Sequence, residues 1–378
     1  MSSLNLVGLS IDLLSISQKA KEIAVLVRSS KIFDKNFTEE KEHPLVQDFK
    51  TVSDVIIQEM LRYDISQIYG IEMGNHVFGE EDSMFTNANK VTINLTVVPD
   101  QIEMKNNLIK AFGCDEEFAN SMIKIIYTPA REMTDINPVK EISQSLLDKF
   151  INIPFEKEFV GIWTDPIDGT NEYVKGGDYK MNLNKFIDVL NDKNQSLKIN
   201  GSITNSEILI GAYDMRNNSP IFGLINSPFH NDNGSNIIAA GLYLGPNKIW
   251  SFIPSISECQ IPFGMKKLIK EYRDVKENSL SVVCGSGDFD LFSKTPSDHL
   301  IIKLAGAGMK CLCVIVGEAD LFIKFDNLIY LYDVCGPMAI LKSLGGGISS
   351  ATDSFDLAKK LFKENAENIK EAIRKNLM

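Results

Sequence analysis

At 378 residues, with 44% hydrophobic and 24% charged side chains, the chain has ordinary globular composition and enough length for one large or two smaller domains, which excludes general disorder. Its 39 Lys+Arg against 50 Asp+Glu give a formal charge of −11, which speaks against a nucleic acid polymer or an anionic membrane as partner. The same excess of acid should repel a phosphorylated small molecule unless a local feature reverses the sign.

Ile11, Leu14, Ala20, Ile23, Ala24 and Val27 recur near helical spacing and predict an amphipathic helix over residues 10–30, followed by a polar loop over 31–44. A second helix is predicted over 48–63 on the stripe Val52, Val55, Ile56 and Met60. Asp54 falls off that stripe and is free to face solvent or a site. Residues 75–78 read as a short strand ending in Gly79-Glu80-Glu81-Asp82. The mixed region 87–158 should hold a strand over 91–97 and several helices. An apolar strand over 159–163 then runs into Thr164-Asp165-Pro166-Ile167-Asp168-Gly169-Thr170. The polar stretch 176–205 reads as an exposed insertion, and 208–213 with 220–225 as a hairpin. Residues 280–284 and 311–316 are further apolar elements. A helix is predicted from Tyr332 to Gly345, and Leu357, Leu361, Ile369, Ile373 and Leu377 mark one stripe of a charged terminal helix.

Six cysteines (Cys114, Cys259, Cys284, Cys311, Cys313 and Cys335) are too sparse for a disulfide framework and read as buried free thiols. The four histidines are scattered, which speaks against zinc. The N-terminus lacks a basic leader, and no apolar stretch approaches the roughly 18 residues of a membrane span. A soluble protein of the cytoplasm is the expectation.

The chemistry concentrates in Asp165-Pro166-Ile167-Asp168-Gly169-Thr170. Two carboxylates on a tight turn at a strand end can share a divalent cation, and oxygen-only ligands suit Mg²⁺. Gly169 permits an unusual backbone angle, and Thr170 brings a hydroxyl and an amide to a helix start that can receive an anion. An Asp-Pro turn with Asp168 as a cap is the plainer alternative. Glu80-Glu81-Asp82 shifts the balance, because three adjacent acids repel one another unless cations compensate.

Gly79-Glu80-Glu81, then Trp163 to Thr170, then Tyr332-Asp333-Val334-Cys335-Gly336-Pro337 with Gly345-Gly346 resemble, in order, the motifs of the lithium-sensitive, magnesium-dependent phosphatases. That superfamily includes inositol monophosphatase, fructose bisphosphatase and the bisphosphate nucleotidases. Residues 48–58, 209–214, 223–228 and 305–310 are most similar to its inositol polyphosphate branch. The resemblance implies an α+β fold, a layered αβαβα sandwich. An α+β domain over 1–250 would carry most ligands, and an α/β domain over 251–378 would supply Asp333 and substrate contacts.

The implied activity is Mg²⁺-dependent, lithium-inhibited hydrolysis of the 1-phosphate of inositol polyphosphates, such as the 1,4-bisphosphate and the 1,3,4-trisphosphate, by a metal-activated water. Glu80, Asp165 and the Ile167 carbonyl would hold one Mg²⁺, Asp165, Asp168 and Asp333 a second, and Asp54 would help place a third. Asp54, Glu80 and Thr170 are the implied catalytic residues, Thr170 orienting the attacking water with Asp54. The Gly169 and Thr170 amides would take the scissile phosphate, and Lys310 suits a second phosphate; its plainer reading is a lysine reaching solvent. Tyr332 stands where the family usually has Trp, and the glycine-containing final strand of relatives has no evident counterpart. A 3′(2′),5′-bisphosphate nucleotidase shares every metal motif and is the nearest rival. A haloacid-dehalogenase phosphatase is disfavoured because its paired aspartates are spaced by two rather than three. A phosphate-binding protein with a dead site is disfavoured because every expected ligand is present.

Overall fold

In the computed structural model, which describes residues 2–30, 38–41, 48–176, 196–198, 202–230, 236–254, 279–292, 299–325 and 329–349, the chain opens with β1 (Ser3–Asn5) and α1 (Leu6–Ser29). The first helix starts four residues before its predicted onset because the Asn5 side chain accepts the Val7 amide and caps it. Within the stretch expected to be loop, β2 (Thr38–Lys41) pairs antiparallel with β3 (Asp48–Thr51). The second helix, α2 (Val52–Tyr69), therefore begins later than residue 48. Thr51-x-x-Asp54 forms a capping box that sets its first turn.

After α3 (Ile71–Gly74) come β4 (Val77–Gly79), β5 (Met84–Thr86) and β6 (Thr92–Asn94), the last shorter than the predicted 91–97. Helices α4 (Gln101–Phe112), α5 (Glu116–Tyr127) and α6 (Val139–Lys149) precede β7 (Pro154–Glu156), which pairs with β1. Next, β8 (Val160–Asp168) continues through both aspartates rather than stopping at residue 163, and α7 (Thr170–Lys175) follows. Within the predicted insertion, β9 (Ser196–Lys198) is a sheet strand, and Ser202 and Asn205 are buried. The hairpin is β10 (Glu207–Asp214) and β11 (Ser219–Ser227), extended by β12 (Ile237–Tyr243) and β13 (Ile249–Phe252). The remainder comprises β14 (Ser281–Cys284), α8 (Ser286–Phe292), β15 (Leu300–Lys303), α9 (Ala307–Ile315), β16 (Leu321–Ile323) and α10 (Leu331–Ser343). The terminal stripe Leu357 to Leu377 and Cys259 lie outside the described residues. The other five cysteines are buried and free.

Two sheets order the molecule. One has six strands, β13-β12-β11-β10-β8-β4, and the other has four parallel strands, β16-β14-β15-β9. Side chains alternate along the central strands of the first. Ile208, Ile210 and Leu224 pack toward α1 and α2, while Leu209, Ile225 and Ala239 share a cluster with Ile340 of α10 and Met309 of α9. The second sheet alternates too. Val283 and Ile302 face that same cluster, and Val282, Cys284 and Ile301 pack with Phe289 of α8. The layers are thus helix, sheet, helix, sheet, helix, an α+β sandwich. Among the described residues no helix is long and apolar enough to cross a membrane.

Candidate functional site

Three residues apart on a regular strand, Asp165 and Asp168 would point to opposite faces. The ladder prevents this. Asp165 pairs with Leu209 but Asp168 pairs with Glu207, so three steps on β8 match two on β10, and the irregularity resets the alternation. Gly169 then turns the chain at φ +78°, where a Cβ would sit 2.5 Å from the Asn205 carbonyl oxygen. Thr170 opens α7, and its hydroxyl donates to the Ile167 carbonyl at 2.9 Å. That carbonyl keeps a second lone pair for another partner.

Asp333 arrives from the other half of the chain. It is the third residue of α10, and its Oδ2 accepts the Tyr330 amide at 2.6 Å. The helix can approach the six-stranded sheet closely because paired glycines Gly211, Gly223 and Gly241 form a trough beneath it. A Cβ on Gly223 would lie 2.0 Å from the Gly336 carbonyl oxygen. The seating brings Asp333 to the end of β8, where one carboxylate oxygen from each of Asp165, Asp168 and Asp333 lies within 4.8 Å of the others.

Glu80 and Asp54 border this triad. Gly79 ends β4 opposite Thr164, so Glu80 leaves the strand level with Asp165. The negative charges of both Glu80 and Asp54 act on Asp165. Asp54 is held by Thr51, whose amide (2.9 Å) and hydroxyl both donate to Oδ2. It is buried rather than solvent-facing. Asp168 accepts the Ala307 and Gly308 amides, at 3.0 and 2.6 Å, from the start of α9. One helix turn on, Lys310 does not reach solvent. It is buried, with Nζ donating to the Leu304 carbonyl at 3.3 Å and lying 5.4 Å from the Phe322 ring centre. It acts on Asp168 through its charge.

Residues that carried no assigned role in the sequence complete the surroundings. Gln58, four residues after Asp54 on α2, holds the Glu81 backbone through its side-chain amide. Lys50 lies 3.3 Å from Glu81 and 2.7 Å from Asp82. Helical spacing from Asp54 was the available signal for Gln58. The ring of Tyr332 stacks on the exposed Tyr330 at 5.2 Å. Burial, then the charges of Glu80, Asp333 and Asp165, push its phenol far up, so the hydroxyl keeps its proton beside the acids.

The electrostatics describe a pocket short of positive charge. Burial, then the charge of Glu80, pushes Asp165 well above the usual carboxylate range. Burial, then Glu81, does the same for Asp54. Asp333 rises to about 8 through burial and Asp168. Asp168 also rises through burial, opposed by Lys310 and the α9 amides. Asp54 Oδ1 and Asp165 Oδ1 are buried with no hydrogen-bond partner. Orphaned carboxylate oxygens beside converging acids, without thiolate or imidazole, form a donor set that fits a hard divalent cation.

A profile described as "Inositol monophosphatase family" matches residues 134–377. The chain is 31% identical over 364 residues to inositol polyphosphate 1-phosphatase of Mus musculus, covering 89% of this chain and 82% of that protein. It is 25% identical over 196 residues to human 3′(2′),5′-bisphosphate nucleotidase 1, covering 51% of each. Among solved structures, the extragenic suppressor protein suhB from Bartonella henselae aligns over 96% of both chains at 10% identity, with a TM-score of 0.42.

Proposed function

The chain belongs to the inositol monophosphatase family, whose members are metal-dependent phosphoric monoester hydrolases, and from that premise we propose that it hydrolyses the 1-phosphate of inositol polyphosphates with Mg²⁺ as cofactor. The observation that carries the reading is the convergence of Asp165, Asp168 and Asp333 within 4.8 Å, with Asp165 Oδ1 left unpartnered. Glu80, Asp165 and the Ile167 carbonyl would hold one ion, Asp165, Asp168 and Asp333 a second, and Asp54 would help hold a third. When bound, such ions lower the pKa of water and neutralise charge on the phosphoryl and leaving oxygens.

The chain's own groups do the rest. The Gly169 and Thr170 amides, at the turn that starts α7, bind the scissile phosphate. Thr170 Oγ1 donates to Ile167 and keeps lone pairs with which to orient the attacking water together with Asp54. Lys310, buried beside Asp168, would offer positive charge to a second phosphate; burial lowers its pKa and the Asp168 carboxylate opposes that shift. Lithium inhibition, a cytoplasmic location and the division into 1–250 and 251–378 belong to the same reading. The two sheets support that division, although β9 joins the second sheet from the first segment.

A nucleotide substrate is the second reading, favoured by the exposed Tyr330 ring stacked on Tyr332 beside Asp333, a face on which a base can stack. Phosphate release from inositol 1,4-bisphosphate and adenosine 3′,5′-bisphosphate, with and without Mg²⁺ and Li⁺, separates the two. The inositol reading expects Mg²⁺-dependent, Li⁺-inhibited turnover of the first at a kcat/KM at least about tenfold above the second. Preference for the nucleotide would overturn it.

A further inference from the structure

Glu80 has no ladder of its own, because β4 ends at Gly79. The backbone of the next residue, Glu81, is held by a side chain on the neighbouring helix. Gln58 Oε1 accepts the Glu81 amide at 3.0 Å, and Gln58 Nε2 donates to the Glu81 carbonyl. A single residue thereby pairs Glu81 on both backbone groups, as an adjacent strand would. Glu80 is pinned between this clamp and the Gly79–Thr164 pairing of β4 with β8. The clamp in turn requires glycine at 79, where a Cβ would lie 2.0 Å from Gln58 Oε1. Gln58 is fully buried, neutral, and four residues along α2 from Asp54. One helix thus presents Asp54 directly and aims Glu80 indirectly, without adding charge to an acidic pocket.

We infer that Gln58 is a positioning residue for Glu80, acting with Gly79 to set the affinity of the cluster for Mg²⁺. This rests on the metal-site reading above. The test is calorimetric titration of the full chain with Mg²⁺ alone, comparing the parent with Gln58→Met, Gly79→Ala and Arg62→Met, after circular dichroism has checked folding. Arg62 is the control, since its Nη2 tethers the start of the same strand through the Val77 carbonyl at 3.2 Å and leaves Glu81 untouched. Gln58→Met and Gly79→Ala should each raise the Mg²⁺ Kd by about tenfold or more, and Arg62→Met by less than about twofold. A folded Gln58→Met with the parent's affinity overturns the inference, as does equal weakening by Arg62→Met. If Gln58→Met does not fold, Gly79→Ala decides by the same criterion. A parent that binds no Mg²⁺ overturns the metal-site reading and the inference with it, whereas a binding parent with an indifferent Gln58→Met overturns the inference alone.

Discussion

Asp165 touches every other acid of the cluster through its charge, and one of its oxygens is buried without a partner. Asp165→Asn keeps the shape and removes the charge that two ions would share. Turnover should fall by at least about a hundredfold while the far-ultraviolet dichroism stays unchanged, because removing one of several repelling acids relieves the metal-free fold. Activity within about tenfold of the parent would show the ligand assignment to be wrong. A buried residue outside the acid cluster makes a different prediction. His230 is buried, neither ring nitrogen has a hydrogen-bond partner, and burial lowers its pKa to about 4 from the ordinary 6.5. The folded value lies below the unfolded one, so the stability it supports is complete above pH 6.5 and is lost as pH falls toward 4. The full swing is about 3 kcal/mol. Urea unfolding at pH 7 and pH 4.5 checks this: His230→Phe should lose less stability between the two than the parent, and equal losses would refute it.

Among the elements, α10 decides whether Asp333 reaches the site. Its approach depends on the glycine trough, and Gly223→Ala places a methyl group against the Gly336 backbone rather than against a yielding side chain. Overpacking of this kind costs about 1–3 kcal/mol, and lifting α10 should also draw Asp333 away. Chemical denaturation and Mg²⁺ titration of Gly223→Ala should therefore show both lower stability and weaker binding; a loss of stability alone would mean that Asp333 does not depend on the seating. None of this was legible from hydrophobic pattern, since a glycine row is a property of three paired strands and a helix distant in sequence. The helical stripes of α1 and α2 and the β10–β11 hairpin were legible from their apolar residues, although burial along these elements is nearly continuous rather than periodic. The end of β8 was not, because Asp165 and Asp168 are polar yet buried, and polarity reads as an exit from a strand. The capping box at Thr51 and Asp54 was available as a pattern and would have moved the start of α2 from residue 48 to Val52. The short strand β9 sits in polar sequence and owes its state to backbone pairing with β15, which composition does not reveal. The acids that the fold brings together were all named in the sequence, Asp165 and Asp168 by their turn and Asp54, Glu80 and Asp333 through the family resemblance. Gln58 offered only its helical spacing from Asp54, because its work is done on another segment's backbone.

At the scale of the whole molecule, a net charge of −11 argues against binding a phosphate, yet the fold gathers Asp54, Glu80, Asp165, Asp168 and Asp333 at one place. Without cations, burial and mutual repulsion keep part of that charge protonated, and what remains repels anions. Two or three divalent ions, as proposed, would bring roughly +4 to +6 against five carboxylates and would leave open positions that attract phosphate. The same repulsion works against the fold, because α2, β4, β8 and α10 each bring an acid to a shared buried point. Metal binding should therefore stabilise the entire sandwich and not the site alone. A ligand that binds only the native state at about 100 times its Kd contributes about 2.7 kcal/mol. Scanning calorimetry of chelator-treated protein should show the melting transition rise by a few degrees as Mg²⁺ is added, in a single transition if the two sheets unfold together. NaCl at matched ionic strength should produce much less, since screening weakens exposed charges far more than buried ones. An equal shift with Na⁺ would mean that the acids are relieved by general screening, and that no specific cation bridges the two halves of the chain.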